Sequence, residues 1–163
     1  MGAGKSTVGR FLAKRLGYRF ADLDQLIVEK KGRSIPDIFS AQGEGYFREC
    51  ELAILMEQAN ADRTVFATGG GIVGRAENRA LMKSYGRVVY LRASWATLQQ
   101  RLAKGSGRPL ANRTEGWEPV RKLWESRLSW YEEADLIVDT EQLRINEVVR
   151  EIISRLDLAE AKQ

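Results

Sequence analysis

The sequence predicts an α/β fold: a parallel β-sheet sandwiched by helices. Short apolar strands alternate with helical stretches along the 163-residue chain, the pattern of a parallel sheet covered on both faces. Asp22, the run Gly69-Gly70-Gly71 and the segment after Val138 all follow strand ends, where ligands sit in such folds. No repeat, linker or internal boundary interrupts the chain, so residues 1–163 read as a single domain with one core.

Each element has its own signal. Val8, Phe11, Leu12 and Leu16 keep helical spacing from Ser6 onward, and Gly17 supplies a left-handed stop. Tyr18 to Ala21 is a short strand ending at Asp22, and Leu23 to Lys31 is helical up to Gly32. Ser34 caps another short helix with Pro36 in its first turn, and Gly43 and Gly45 separate it from a helix over Tyr46 to Asn60. Thr64 to Thr68 is a buried strand that runs into the triple glycine. A helix over Glu77 to Ser84 precedes the strand Arg87 to Leu91, and Ser94 caps a helix to Ala103. Residues 104 to 116, rich in Gly, Pro, Asn and Arg, read as a mobile loop. Trp117 to Glu133 is helical, Leu136 to Val138 is the last strand, and Ile145 to Leu156 is an amphipathic closing helix.

Composition narrows the chemistry. Hydrophobic residues make up 44% and charged residues 29%, as in ordinary globular proteins. No apolar run approaches the roughly 20 residues of a membrane span, and no secretory signal opens the chain. Cys50 is the only cysteine, which excludes an internal disulfide or a cysteine metal cluster and fits a reducing, cytoplasmic setting. The net charge of +4 suits phosphorylated ligands, and without a basic stripe interleaved with aromatics no nucleic-acid partner is expected. The absence of histidine excludes His-based triads and HExxH zinc sites, leaving proton chemistry to carboxylates, Lys, Tyr or the substrate.

Gly2-Ala3-Gly4-Lys5-Ser6-Thr7 matches the second half of a phosphate-binding loop. Glycines let backbone N–H groups converge on phosphate oxygens, and the helix that follows points its positive end at the same anion. In that motif Lys5 meets the outer phosphates and the Ser6 hydroxyl ligates Mg²⁺. Asp22 and Asp24 are either an acidic helix cap or a pair in which one holds metal-bound water while the other accepts from an attacking hydroxyl.

Arg48 lies four residues before Leu52, on the stripe that continues to Leu55 and Ala59, while Arg127 lies three after Trp124 and four before Tyr131. Both therefore face inward. Buried arginines need anionic partners: a planar carboxylate ligand suits the guanidinium fork, and an internal ion pair, Arg48 with Glu51, is the other reading. Gly69-Gly70-Gly71 is either a tight turn or a place where a ligand approaches the backbone. Arg108 in the loop is either solvated or able to close over phosphates. Cys50, Trp95, Trp117, Trp124 and Trp130 read as packing residues.

In chain order, Gly2 to Thr7, Asp22-Leu23-Asp24, Gly32 to Phe39, Gly43-Glu44 with Phe47-Arg48, Thr68 to Gly71, Arg108-Pro109-Leu110, and Arg127 with Tyr131 resemble the shikimate kinase family over nearly the whole chain. The resemblance implies a P-loop kinase fold and transfer of the ATP γ-phosphoryl to the 3-hydroxyl of shikimate, a step toward chorismate and the aromatic amino acids. It implies ATP and Mg²⁺ at Gly2, Ala3, Gly4, Lys5, Ser6 and Thr7, with Ser6 and Asp22 at the metal. It also implies Asp24 on the shikimate hydroxyls as candidate base, Arg48 and Arg127 on its carboxylate, Gly69 to Gly71 at its ring, and Arg108 as a lid arginine on ATP. Lys5, Asp24 and Arg108 are the expected catalytic groups, in a monomer that needs neither nucleic acid nor membrane. The family's five-stranded sheet begins with an apolar strand ahead of the phosphate loop. That strand is absent here, so a native start upstream of Met1 is expected, and a chain truly beginning at Met1 is expected to fold poorly and bind ATP weakly. A gluconate or nucleotide kinase of the same fold, or a truncated non-catalytic relative, are the alternatives. A signalling GTPase is disfavoured by the lack of an N-K-x-D motif.

Overall fold

The computed structural model describes residues 2–104 and 116–161. The chain order is α1 (Lys5–Leu16), β1 (Arg19–Asp22), α2 (Leu23–Lys31), α3 (Ile35–Glu57), β2 (Thr64–Ala67), a 3₁₀ turn (Ile72–Gly74), α4 (Ala76–Tyr85), β3 (Val89–Arg92), α5 (Trp95–Lys104), α6 (Glu118–Glu125), α7 (Leu128–Tyr131), β4 (Leu136–Asp139) and α8 (Ile145–Arg155). Every strand pairing is parallel. β1 pairs with β2 in the register Arg19↔Thr64 to Asp22↔Ala67, and β3 pairs with β4 from Val89↔Leu136 to Arg92↔Asp139.

The expected single sheet is split into these two pairs. A cavity of about 580 Å³ separates them, walled by Val65 and Phe66 on one side, Val88 and Val89 on the other, and Leu12 and Ile152 across one face. No described strand lies there, so no ladder joins β2 to β3.

Among the described residues two apolar clusters carry the packing. One gathers Val8, Leu12 and Leu16 of α1, Leu91 and Val138 of the β3–β4 pair, and Val148, Val149, Ile152 and Ile153 of α8. The other gathers Leu23 and Ile27 of α2, Phe47, Cys50, Ile54 and Leu55 of α3, and Ile72. Each fully buried Leu or Ile contributes about 1.5–3 kcal/mol, so these stripes fix which faces of α1, α3 and α8 turn inward. Cys50 is packed here as expected, and Trp95 packs on Trp124 at 5.7 Å between ring centroids.

Capping follows local chemistry. The Ser34 hydroxyl accepts from the Asp37 N–H (3.3 Å) at the start of α3, with Pro36 in the first turn. The expected break between two helices appears as a kink at Gly43 (φ 76°, ψ 176°) inside α3. The single helix expected over Trp117 to Glu133 is instead divided into α6 and α7. At the division the Ser126 hydroxyl donates to the Leu123 carbonyl (3.0 Å), a side-chain bond that competes with the helical ladder. The break leaves Arg127 at the N-cap of α7. Among the described residues no helix is long and apolar enough to cross a membrane.

Candidate active site

The phosphate loop opens α1. Gly4 is left-handed (φ 83°, ψ 19°) at the N-cap, a conformation that favours glycine, and it supplies no side-chain cap. No acidic residue stands in the first turn, so the positive end of α1 is available to an anion. Ala3 and Lys5 line a cavity of about 90 Å³ together with Thr68, Gly69, Gly70 and Tyr131. Thr7 lies on the exposed side of the same helical turn.

The Ser6 hydroxyl donates to Asp22 Oδ2 (2.7 Å), while Asp22 Oδ1 accepts from the Asp24 N–H (3.1 Å). Asp22 therefore caps α2 and, at the same time, ties the end of β1 to the phosphate loop. A hydroxyl beside a carboxylate suits Mg²⁺, which takes few protein oxygens and keeps water and phosphate oxygens as its other ligands. Among the described residues no group of three or more His, Cys, Asp or Glu could hold a metal by itself.

The glycine corner after β2 is crowded by the site's own side chains. A Cβ at Gly69 would stand 3.0 Å from Asp24 Oδ1 and 3.1 Å from Glu51 Oε1, and one at Gly71 would stand 2.4 Å from both terminal nitrogens of Arg48. The crowding at Gly69 and Gly71 comes from the side chains of Asp24, Glu51 and Arg48, and glycine is what leaves room for them.

Arg48 is indeed inward, with its side chain 16% exposed. It donates from Nη1 to Glu51 Oε2 (2.6 Å) and from Nη2 to Glu44 Oε1 (2.6 Å). The internal ion pair weighed from sequence is therefore present and doubled. Burial works against the Arg48 charge, but its hydrogen bonds to Glu51 and then to Glu44 outweigh that and raise the guanidinium's pKa. Glu51 is 1% exposed. Burial pushes its carboxyl above the ordinary carboxylate range, with Arg48 opposing and Asp24 adding to the rise.

Arg127 is half-buried, and its Nη1 makes a long contact (3.5 Å) with the Gly70 carbonyl. Tyr131 donates its hydroxyl to the same carbonyl at 2.7 Å. Its ring stacks on Tyr90 of β3, centroids 5.1 Å apart and planes 22° from parallel. Burial raises the Tyr131 phenol's pKa, with Arg127 opposing. Arg108, and with it the lid expected over 104–116, falls outside the described residues apart from the flanking Lys104 and Gly116.

Sequence reasoning placed Asp22, Asp24, Arg48, Arg127 and the glycine corner together. It gave no role to two participants. Glu44 stands four residues before Arg48, a helical spacing that could have exposed it. Tyr131 stands four after Arg127, and only the fold shows that both reach one carbonyl.

An anion seat at a helix start, coupled through Ser6 and Asp22 to a carboxylate and a guanidinium cluster, defines a P-loop phosphotransferase of the α/β kinase type. The family model for shikimate kinase matches residues 1–157. The chain belongs to the shikimate kinase family, whose members are ATP-dependent phosphotransferases. It is 45% identical to the shikimate kinase of Geobacter sulfurreducens over 152 residues, covering 93% of this chain and 84% of the relative. It is also 45% identical to that of Pseudomonas paraeruginosa over 157 residues, covering 96% and 91%. Among solved structures, the shikimate kinase from Acinetobacter baumannii in complex with shikimate superposes with a TM-score of 0.89 at 38% identity, covering 96% of this chain and 88% of that one. The Aquifex aeolicus enzyme superposes with a TM-score of 0.85 at 34% identity, covering 96% and 92%.

Proposed function

We propose that the chain transfers the γ-phosphoryl group of ATP to the 3-hydroxyl of shikimate, giving shikimate 3-phosphate and ADP on the route to chorismate. The observation that carries this reading is the glycine corner. There Asp24 borders Gly69 and Arg48 borders Gly71, two residues on in a loop that also lines the phosphate-loop cavity, so an acid held by guanidinium groups can present a hydroxyl toward a nucleotide's terminal phosphorus. The family match and the shikimate-bound Acinetobacter relative support the choice of acid.

Each residue then has a distinct task. Gly2, Ala3, Gly4, Lys5, Ser6 and Thr7 hold the phosphates through backbone N–H groups, the helix end and the Lys5 ammonium. Ser6 and Asp22 would hold Mg²⁺, which supplies charge neutralisation on the phosphates when bound. Asp24 accepts the hydrogen bond of the attacking hydroxyl and orients it in line. As the new O–P bond forms and the bond to ADP breaks, that hydroxyl's proton passes to Asp24 or to the transferred phosphoryl. Arg48 and Arg127 clamp the carboxylate, with Glu51 and Glu44 fixing the plane of Arg48. Gly69 to Gly71 border the ring, and Arg108 closes over ATP. We also assign the protein as a one-domain monomer acting in the cytoplasm.

The test is ATP-dependent product formation from shikimate, followed by mass spectrometry of the product, against gluconate and nucleoside monophosphates as rival acceptors. Phosphorylation of shikimate alone is expected. Preference for a rival acceptor would replace the reading, and no ATP turnover with any acceptor would mark a non-catalytic relative.

A further inference from the structure

We propose that Tyr131 is a positioning residue for acid recognition: its hydroxyl holds the Gly70 carbonyl and so keeps the guanidinium of Arg127 available to the substrate carboxylate. The proposal rests on the clamp reading of Arg127 given above.

The geometry begins with one helical turn. Arg127 is the N-cap of α7 and Tyr131 its last residue, a spacing that puts both side chains on one face. Both reach the Gly70 carbonyl, but unequally: the tyrosine hydroxyl at 2.7 Å, the arginine Nη1 at 3.5 Å. The strong bond to that carbonyl therefore belongs to Tyr131, and Arg127 is left with a contact at the limit of a hydrogen bond. The phenol, whose pKa burial raises further above its ordinary range, is a donor at neutral pH.

The tyrosine is itself braced. Its ring stacks on Tyr90 of β3, whereas Gly70 continues from β2, so the hydroxyl spans the two strand pairs. The glycine corner needs such a brace because it has no side chains of its own to lock it. Its neighbours on either side support Asp24 and Glu51 at Gly69 and Arg48 at Gly71. Rotation of the Gly70 peptide would disturb both flanks. Loss of the tyrosine bond would also let Arg127 close on the vacated carbonyl, withdrawing donors that a carboxylate needs in a fork.

Tyr131→Phe removes the hydroxyl and keeps the ring stacked. The expected result is a rise of about tenfold in the shikimate KM, the size of one lost hydrogen bond. The ATP KM and kcat at saturating shikimate should stay within about twofold. Arg127→Ala and the double variant complete the cycle: if Tyr131 acts through Arg127, the double variant should have nearly the shikimate KM of Arg127→Ala alone. An unchanged shikimate KM in Tyr131→Phe, alongside a raised one in Arg127→Ala, overturns the Tyr131 role and leaves the clamp standing. Full additivity of the two effects overturns it too, as does a variant that loses folded protein and shows only a lower kcat at unchanged KM values. An unchanged shikimate KM in Arg127→Ala itself overturns the clamp, and the Tyr131 proposal with it.

Discussion

Gly71 is the seat of the Arg48 guanidinium. A Cβ added there would lie 2.4 Å from Nη1 and Nη2 and 2.6 Å from Cζ, far inside van der Waals contact, and Glu51 and Glu44 hold the group from the other side.

Gly71→Ala is therefore expected to act through Arg48. One methyl group should displace the guanidinium and raise the shikimate KM by at least about tenfold, the scale of a lost charge-assisted hydrogen bond. The ATP KM should hold. Steady-state kinetics varying each substrate separately checks this, and an unchanged shikimate KM would mean that Arg48 does not bind the acid.

Glu51 gives a stability effect with a defined sign. Its folded carboxyl is raised above the ordinary value of 4.5 by burial. Well below that value the group is protonated in both states and costs nothing. As pH rises past it, the unfolded chain ionises first, so the folded state binds more protons and stability falls until the folded carboxyl also ionises. Glu51→Gln removes this term. Urea denaturation of both proteins across acidic to neutral pH should show the variant gaining stability relative to the parent as pH increases. A constant difference would refute the assignment.

Asp24→Asn should keep the shape of the site but lose the acceptor for the attacking hydroxyl's proton. Turnover is expected to fall by about 10²–10⁴, the usual range for a general base, with ATP affinity by titration calorimetry nearly unchanged. Retained turnover would remove Asp24 from the proton path.

Ser6→Ala deletes one expected Mg²⁺ ligand and the partner of Asp22. The Mg²⁺ concentration for half-maximal activity is expected to rise by about 10-fold or more, with the shikimate KM little changed. An unaltered Mg²⁺ titration would show that the ion is held elsewhere.

Much of the fold was legible because local signals agreed with the final packing. α2 falls on Leu23–Lys31 as its glycine stop and apolar spacing require, and α8 follows the stripe from Ile145. Inward placement of Arg48 was legible for the same reason: helical period alone fixes its face. The division at Ser126 was not legible, because a serine inside an amphipathic stretch is compatible with an unbroken helix until its hydroxyl turns back on the Leu123 carbonyl. Nor was the division of labour within Gly69 to Gly71. Three identical residues carry no local clue to which neighbour each must accommodate, and those neighbours come from α2, α3 and α7. The Tyr131 bond to Gly70 joins residues 61 positions apart, beyond the reach of any periodicity.

The Ser6–Asp22 bond has one more effect. A hydroxyl has a single proton, and here the carboxylate already takes it, so both oxygen lone pairs of the serine remain for an incoming cation. The carboxylate sets the rotor, so an ion binding there would leave it little torsional freedom to lose. The strand end and the loop would in this sense be dressed for a metal in advance, with the aspartate acting as the serine's compass.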